Sequence, residues 1–166
     1  MIRKAAHSDI GSIMGIVGEA QRALADLGID QWQDGYPTQD IIAEDIETGS
    51  GYVACNEQGD VIGYAAIVLT GEQAYTQLAD DSWHTPNRYV VIHRICVGKK
   101  SRRSGVANRL IDKAIEIAHT NAIYAFRIDT HSGNIRMLTL LRKRGFDYCG
   151  IVHYPSGERE AYDLNI

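Results

Sequence analysis

A chain of 166 residues, 45% hydrophobic and 23% charged, can bury one substantial core without metal or disulfide staples, and it contains no apolar run of membrane-spanning length and no secretory-leader pattern. The net charge of −4 disfavours a dedicated nucleic-acid binder, because such domains carry a basic excess for phosphate. Cys55, Cys96 and Cys149 are odd in number and form no CxxC pair, with no His at metal-ligand spacing, so we expect reduced, buried thiols, no metal, and one cytoplasmic domain over residues 1–166.

Met1 to Ala6 reads as a first strand, and Ser8 before Asp9 as the N-cap of a helix. Ile10, Ile13, Met14, Val17, Leu24 and Leu27 fall on one stripe of that helix, and Gly28 stops it. A surface loop from Ile29 to Pro37 carries Trp32 and Tyr36. Thr38 then caps a second helix to about Thr48, in which Ile41, Ile42, Asp45 and Ile46 repeat helically. Tyr52–Cys55 and Val61–Leu69, joined through Gln58-Gly59-Asp60, have the signature of a hairpin. Gly71 to Asn87 shows no period and reads as an extended loop, with Ala74-Tyr75 able to extend the sheet.

The organising stretch runs from Tyr89 to His119: a strand over Arg88–Val97, a basic turn from Gly98 to Ser104, and a helix over Gly105–His119. Ala122–Thr130 follows as a strand and Asn134–Arg144 as a helix closed by Gly145. Phe146–His153 and Arg159–Leu164 form a last hairpin around Pro155-Ser156-Gly157-Glu158. The order βααβββαβαββ predicts a mixed α/β sheet, and it is not that of a doubly wound dinucleotide fold. Because the first turn of a helix leaves N–H groups unpaired at the positive end of its dipole, an oxyanion is favoured at Gly105. The small Gly105 and Ala107 permit close approach, and Lys99, Lys100, Arg102 and Arg103 add charge and forked donors. The turn has neither the GxxxxGK[ST] nor the GxGxxG spacing, and by itself it reads equally as a phosphate holder or a solvated basic feature.

Arg102-Arg103-Ser104-Gly105-Val106-Ala107 resembles the [Arg/Gln]-x-x-Gly-x-[Gly/Ala] motif of the GCN5-related N-acetyltransferases (GNAT), with Val97 standing as that family's strand-ending valine. Asn134, Leu140, Lys143 and Gly145-Phe146 match its second motif, and the order of elements matches over essentially the whole chain. The resemblance implies the acyl-CoA N-acyltransferase fold: a mixed, mostly antiparallel central sheet with splayed central strands and flanking helices. It implies acetyl-CoA as co-substrate, held by the backbone of Ile95 and Val97 along the pantetheine arm and by the amides of Arg102, Arg103, Ser104, Gly105, Val106, Ala107 and Asn108 at the pyrophosphate. Asn134, Leu138 and Leu141 would contact the same cofactor. The implied reaction is direct attack of an amine on the acetyl thioester, with no metal and no covalent enzyme intermediate. Lys99 and Ser101 depart from the family's common Pro and aromatic. Leu141 occupies the place of the tyrosine that protonates the departing thiolate in many members, and neither Tyr148 nor Tyr154 stands at that position.

His93 is the candidate general base, because strand alternation puts it on the face of Val91, Ile95 and Val97; the alternative is a histidine bonded within the core. Trp32 and Tyr36 are candidates for contact with the acceptor amine or, equally, packing anchors. Asp30, Asp34, Asp80 and Asp81 are surface acids able to attract a cation. Asp129 and His131 either reach the active cleft or brace the following turn, and Cys96 is unsuited to a nucleophilic role by parity. The leading reading is an N-acetyltransferase acting on a small-molecule or peptide amine, against an idle CoA-binding module or a nucleic-acid contact through Lys99–Arg103. The closing hairpin offers a sheet edge for a homodimer.

Overall fold

The structure, a computed structural model, describes residues 1–78 and 82–166. Its strands are β1 (Ile2–Lys4), β2 (Gly51–Cys55), β3 (Val61–Val68), β4 (Val90–Val97), β5 (Ala125–Thr130), β6 (Asp147–Tyr154) and β7 (Gly157–Asn165). Its helices are α1 (Ile10–Ala25), α2 (Gln39–Glu47), α3 (Val106–Thr120) and α4 (Ile135–Lys143). The strands form one open sheet in the order β1-β2-β3-β4-β5-β7-β6, mostly antiparallel, with β4 and β5 parallel. This is the mixed sheet expected from the order of elements. Among the described residues, no helix is long and apolar enough to cross a membrane.

The chain divides into two compact units, residues 1–67 with 92–113, and 68–91 with 114–166. In the first unit, α1 and α2 cover β2 and β3, and Ile13, Val17, Ile42, Val53, Tyr64 and Cys96 share a buried cluster. Each such apolar side chain contributes on the order of 1.5–3 kcal/mol on leaving water. The start of α1 differs from expectation. A 3₁₀ turn over His7–Asp9 precedes it, and Asp9 rather than Ser8 organises the entry, accepting from the Ala6 N–H at 2.8 Å and from both Arg3 terminal nitrogens at 2.6 and 2.9 Å. The end is as expected, with Gly28 at φ 71° and the Ile29 N–H bonded back to the Leu24 carbonyl. Leu27, placed on the apolar stripe, lies beyond the last helical turn and is 44% exposed.

In the second unit, β5 pairs with β7 over six residues from Ala125↔Asn165 to Thr130↔Glu160, and the β6–β7 hairpin closes at Tyr154↔Gly157. Gly145 at φ 80° ends α4, and the Phe146 N–H returns to the Leu141 carbonyl at 3.1 Å. Two sequence expectations change here. Ala74-Tyr75 belongs to a 3₁₀ turn, Gln73–Thr76, because the Glu72 carboxylate caps the Ala74 N–H at 3.1 Å. The strand expected from Ala122 begins at Ala125, since Ala122 adopts φ 54° and closes α3, with the Ile123 N–H on the Ala118 carbonyl.

Candidate functional site

The turn after β4 departs from regular backbone structure. Arg103 at φ 64° and Gly105 at φ 80° flank Ser104, so the peptide planes alternate in hand immediately before α3. Such alternation turns successive N–H groups toward one side, a concavity suited to an anion, at the positive end of a 15-residue helix. Ser104 Oγ donates to the Ser101 carbonyl at 2.6 Å and Arg109 to the Ser104 carbonyl at 3.3 Å, which pins the turn from both ends.

The cations of this turn divide their duties. Arg102 sends Nε to the Val97 carbonyl at 3.4 Å and Nη2 to the Glu19 carbonyl at 3.1 Å, while Glu19 accepts the Lys99 N–H at 2.5 Å. The Arg102 side chain, expected to add charge and forked donors at the turn, ties the turn to the end of β4 and to α1. Arg103 is exposed, as is Ser104, whereas Val106 is buried. A cleft of about 440 Å³ beside the turn is lined by Arg22, Lys99 and Arg102 together with Glu19 and Asp26, so it carries both signs of charge.

The position of α3 depends on a glycine two strands earlier. A Cβ at Gly63 would stand 2.7 Å from Val106 Cγ1 and 3.2 Å from the Cys96 carbonyl. The helix can therefore seat its first residue directly on β3 only because Gly63 has no side chain.

β4 carries a second irregularity. Arg94 adopts φ 55° between His93 and Ile95, interrupting the period-2 alternation that placed those two on one face. Among the described residues, the register of β4 with β5 comprises Val90↔Phe126 and Val91↔Arg127, which leaves the backbone groups of Ile95 and Val97 outside that ladder. His93, Ile95 and Val97 are all half-buried.

From this distorted strand Arg94 makes a bidentate pair with Asp45 of α2, Nη2–Oδ1 2.6 Å and Nε–Oδ2 2.8 Å, and donates from Nη1 to the Tyr36 hydroxyl at 2.7 Å. Tyr64 completes the group with a 2.6 Å bond to Asp45 Oδ2. Burial works against the charge of Arg94, yet Asp45 and Tyr36 outweigh it and hold the guanidinium above its ordinary range. Burial, then the Asp45 carboxylate, raises the Tyr64 phenol. The sequence reading missed both ends of this pair. The available signal was an acid on the apolar stripe of one helix and an arginine inside an apolar strand, two charges that need each other once buried.

This network fixes the loop between α1 and α2. Trp32 packs on the first unit's core at φ 65° and meets Tyr36 edge-on, with centroids 6.3 Å apart, while the Tyr36 carbonyl accepts from Gln21 at 3.0 Å. Trp32 and Tyr36 are thus anchors of their loop. Burial pushes the Cys96 thiol up to about 12, in keeping with its expected inertness.

In the second unit, Asn134 caps α4 by accepting the Met137 N–H at 3.3 Å; it and Leu138 are half-buried, and Leu141 is fully buried. Asp129 accepts from the hydroxyls of Tyr75 at 2.6 Å and Tyr154 at 2.9 Å, so it braces two tyrosines rather than the turn that follows it. His131 accepts the Gly133 N–H at 2.9 Å. Asp80 and Asp81 lie outside the described residues.

A family model described as the acetyltransferase (GNAT) family matches residues 19–146. An acetyltransferase of the GNAT family from Streptococcus agalactiae is 34% identical, with a TM-score of 0.90 over 100% of this chain and 95% of that one. A phosphinothricin acetyltransferase of the GNAT superfamily from Sinorhizobium meliloti, solved in complex with AcCoA, shares the fold at 18% identity and a TM-score of 0.71, over 100% of this chain and 88% of that one. The chloroplastic GCN5-related N-acetyltransferase 6 of Arabidopsis thaliana is 28% identical over 57% of this chain and 33% of its own length. The chain spans about a quarter to a third of the length of the curated relatives it matches.

Proposed function

The chain belongs to the GNAT family of acetyltransferases, and from that premise we propose that it moves the acetyl group of acetyl-CoA to an amine, acting as one domain over residues 1–166. The observation that carries the reading is the left-handed pair Arg103 and Gly105 around Ser104 at the start of α3, a backbone cradle suited to a pyrophosphate. The Sinorhizobium neighbour, described with AcCoA bound, supports the same donor through likeness of fold.

In this reading the amides from Arg102 to Asn108 receive the pyrophosphate, and Ile95 and Val97 offer backbone groups to the pantetheine arm. Asn134 and Leu138 are proposed cofactor contacts in the second unit, with the Asn134 side-chain N–H groups as donors, since its oxygen caps α4. Leu141 backs that helix from the core. Bound acetyl-CoA supplies a thioester carbonyl that the amine nitrogen attacks, forming an N–C bond as the C–S bond breaks. The chain must relieve the ammonium of its proton, and His93 is the proposed acceptor. Leu141 has no proton to give, so the thiolate, with a pKa of about 8.5, leaves without help from that position.

Amine-dependent release of free CoA thiol across an amine panel is the expected result, and the Gly105→Glu variant, which sets a carboxylate in the cradle, loses both turnover and stabilisation by acetyl-CoA. Stabilisation of the parent by acetyl-CoA without thiol release from any amine would identify an idle CoA-binding module, the reading that Leu141 favours. Cofactor binding retained by Gly105→Glu overturns the placement of the pyrophosphate.

A further inference from the structure

Three side chains far apart in sequence converge in the second unit. His84 Nδ1 lies 3.3 Å from Asp163 Oδ1 and 3.4 Å from Cys149 Sγ, and the three donor atoms are all within 4.8 Å of one another. No other group of His, Cys, Asp and Glu gathers its donors in this way among the described residues. Spacing along the chain hides the trio, which comes from the loop before β4, from β6 and from β7.

Each position is set by local structure. A register shift between Tyr148 and Gly150 leaves Cys149 as the extra residue of a β-bulge, a device that re-aims a side chain, and Cys149 is fully buried. Asp163 is also buried. Its Oδ2 accepts the backbone N–H groups of His84 at 2.7 Å and Thr85 at 2.9 Å, which orients the carboxylate and leaves Oδ1 toward the imidazole. The His84 side chain is 46% exposed and gives the cluster an opening to water.

The geometry does not suit a nucleophilic relay. A Cys–His–Asp relay needs thiol and carboxylate on opposite ring nitrogens, whereas both approach Nδ1 here. It does suit a shared central atom. For zinc bond lengths of about 2.0–2.3 Å, tetrahedral placement gives donor separations of roughly 3.3 Å for N and O and roughly 3.6 Å for N and S.

We propose that His84 Nδ1, Cys149 Sγ and Asp163 Oδ1 form a three-ligand site for a divalent transition metal, Zn²⁺ by donor type, with a fourth position open to solvent. Imidazole, thiolate and carboxylate are zinc donors, and the two backbone N–H bonds to Oδ2 supply the outer support that ligating carboxylates use. Thiolate is the ligating form of cysteine, so coordination releases the Cys149 thiol proton to solvent as the metal–sulfur bond forms. Arg127, opposite Asp163 in the β5–β7 register, directs its bonds to Thr85 and Pro86 and leaves Oδ1 available. Bound metal would tie the loop at His84 to β6 and β7 and stabilise this unit. The inference is independent of acetyl transfer.

The test uses the full chain, reduced and stripped with chelator, titrated with Co²⁺ and then Zn²⁺. One Co²⁺ per chain should bind with a thiolate-to-metal charge-transfer band and four-coordinate d–d bands, and equimolar Zn²⁺ should displace it and raise the Tm. Cys149→Ser should lose the charge-transfer band. His84→Gln changes an exposed residue, so it keeps the test decisive if the serine variant does not fold; its affinity should fall roughly tenfold or more. Absence of stoichiometric binding, Co²⁺ bound without a thiolate band, or wild-type affinity in His84→Gln would each overturn the proposal.

Discussion

Two inward-facing arginines show opposite solutions to one problem. Arg94, in the first unit, is locked on both oxygens of Asp45 and is held above its ordinary pKa despite burial. Arg127, in the second, is 2% exposed and has its pKa lowered by burial; its N–H groups go to the Thr85 hydroxyl and to the Thr85 and Pro86 carbonyls, and the faces of Trp83 and Tyr89 lie 4.3 and 4.1 Å from its guanidinium carbon. One charge is neutralised by a bidentate partner, the other is held by carbonyl dipoles and π-faces, with the Asp163 carboxylate opposite it as a charge it does not grip. The first solution depends on a single partner residue. The second is spread over several groups.

The contrast is broken most directly by Asp45→Asn. Arg94 then stays buried without its counter-charge, and we expect a loss of about 3–5 kcal/mol in urea unfolding. The Tyr36 loop should loosen as well, read as faster proteolysis between Ile29 and Pro37. A smaller effect is expected for Arg127→Leu, which breaks no bidentate pair and leaves chiefly dipoles unsatisfied, about 1–3 kcal/mol by the same measurement. A loss equal to that of Asp45→Asn would erase the distinction.

The smallest effect belongs to a third pair, Arg3–Asp9, in which the arginine side chain is 40% exposed. The Arg3 hydrogen bonds lower the Asp9 pKa against the opposing influence of burial. Because the folded pKa lies below the unfolded value of about 3.9, the stabilisation is fully present above that pH and is lost as pH falls through the folded pKa. Solvent screening keeps it to about 1 kcal/mol or less. Asp9→Asn should flatten the acid limb of the stability curve between pH 5 and 2 by about that amount, and an unchanged slope would mean that the pair contributes nothing.

Much of the fold was legible along the chain because its signals are local. Apolar periodicity located α1 and α2, the order of elements located α4, and Gly28 and Gly145 ended their helices as left-handed C-terminal residues. The basic stretch leading into small residues was legible locally as well, although Glu19 of α1 and Gly63 of β3 hold the turn and its helix in place. The readings that changed were those where one residue class serves two purposes. Ala122 adopts a left-handed angle without being glycine, and Asp9 displaced Ser8 because it could also hold Arg3, which only the β1–β2 pairing brings into line.

Periodicity, composition and the phosphate-turn motif thus determined the architecture and the family, since each depends on neighbours within a few positions. Tertiary structure decided which charges meet. Asp45 found Arg94 across 49 positions and His84 found Asp163 across 79, because the fold sets a helix against β4 and a loop against β7. Burial then makes such meetings count, since a polar group removed from water must find its partner wherever the fold supplies one.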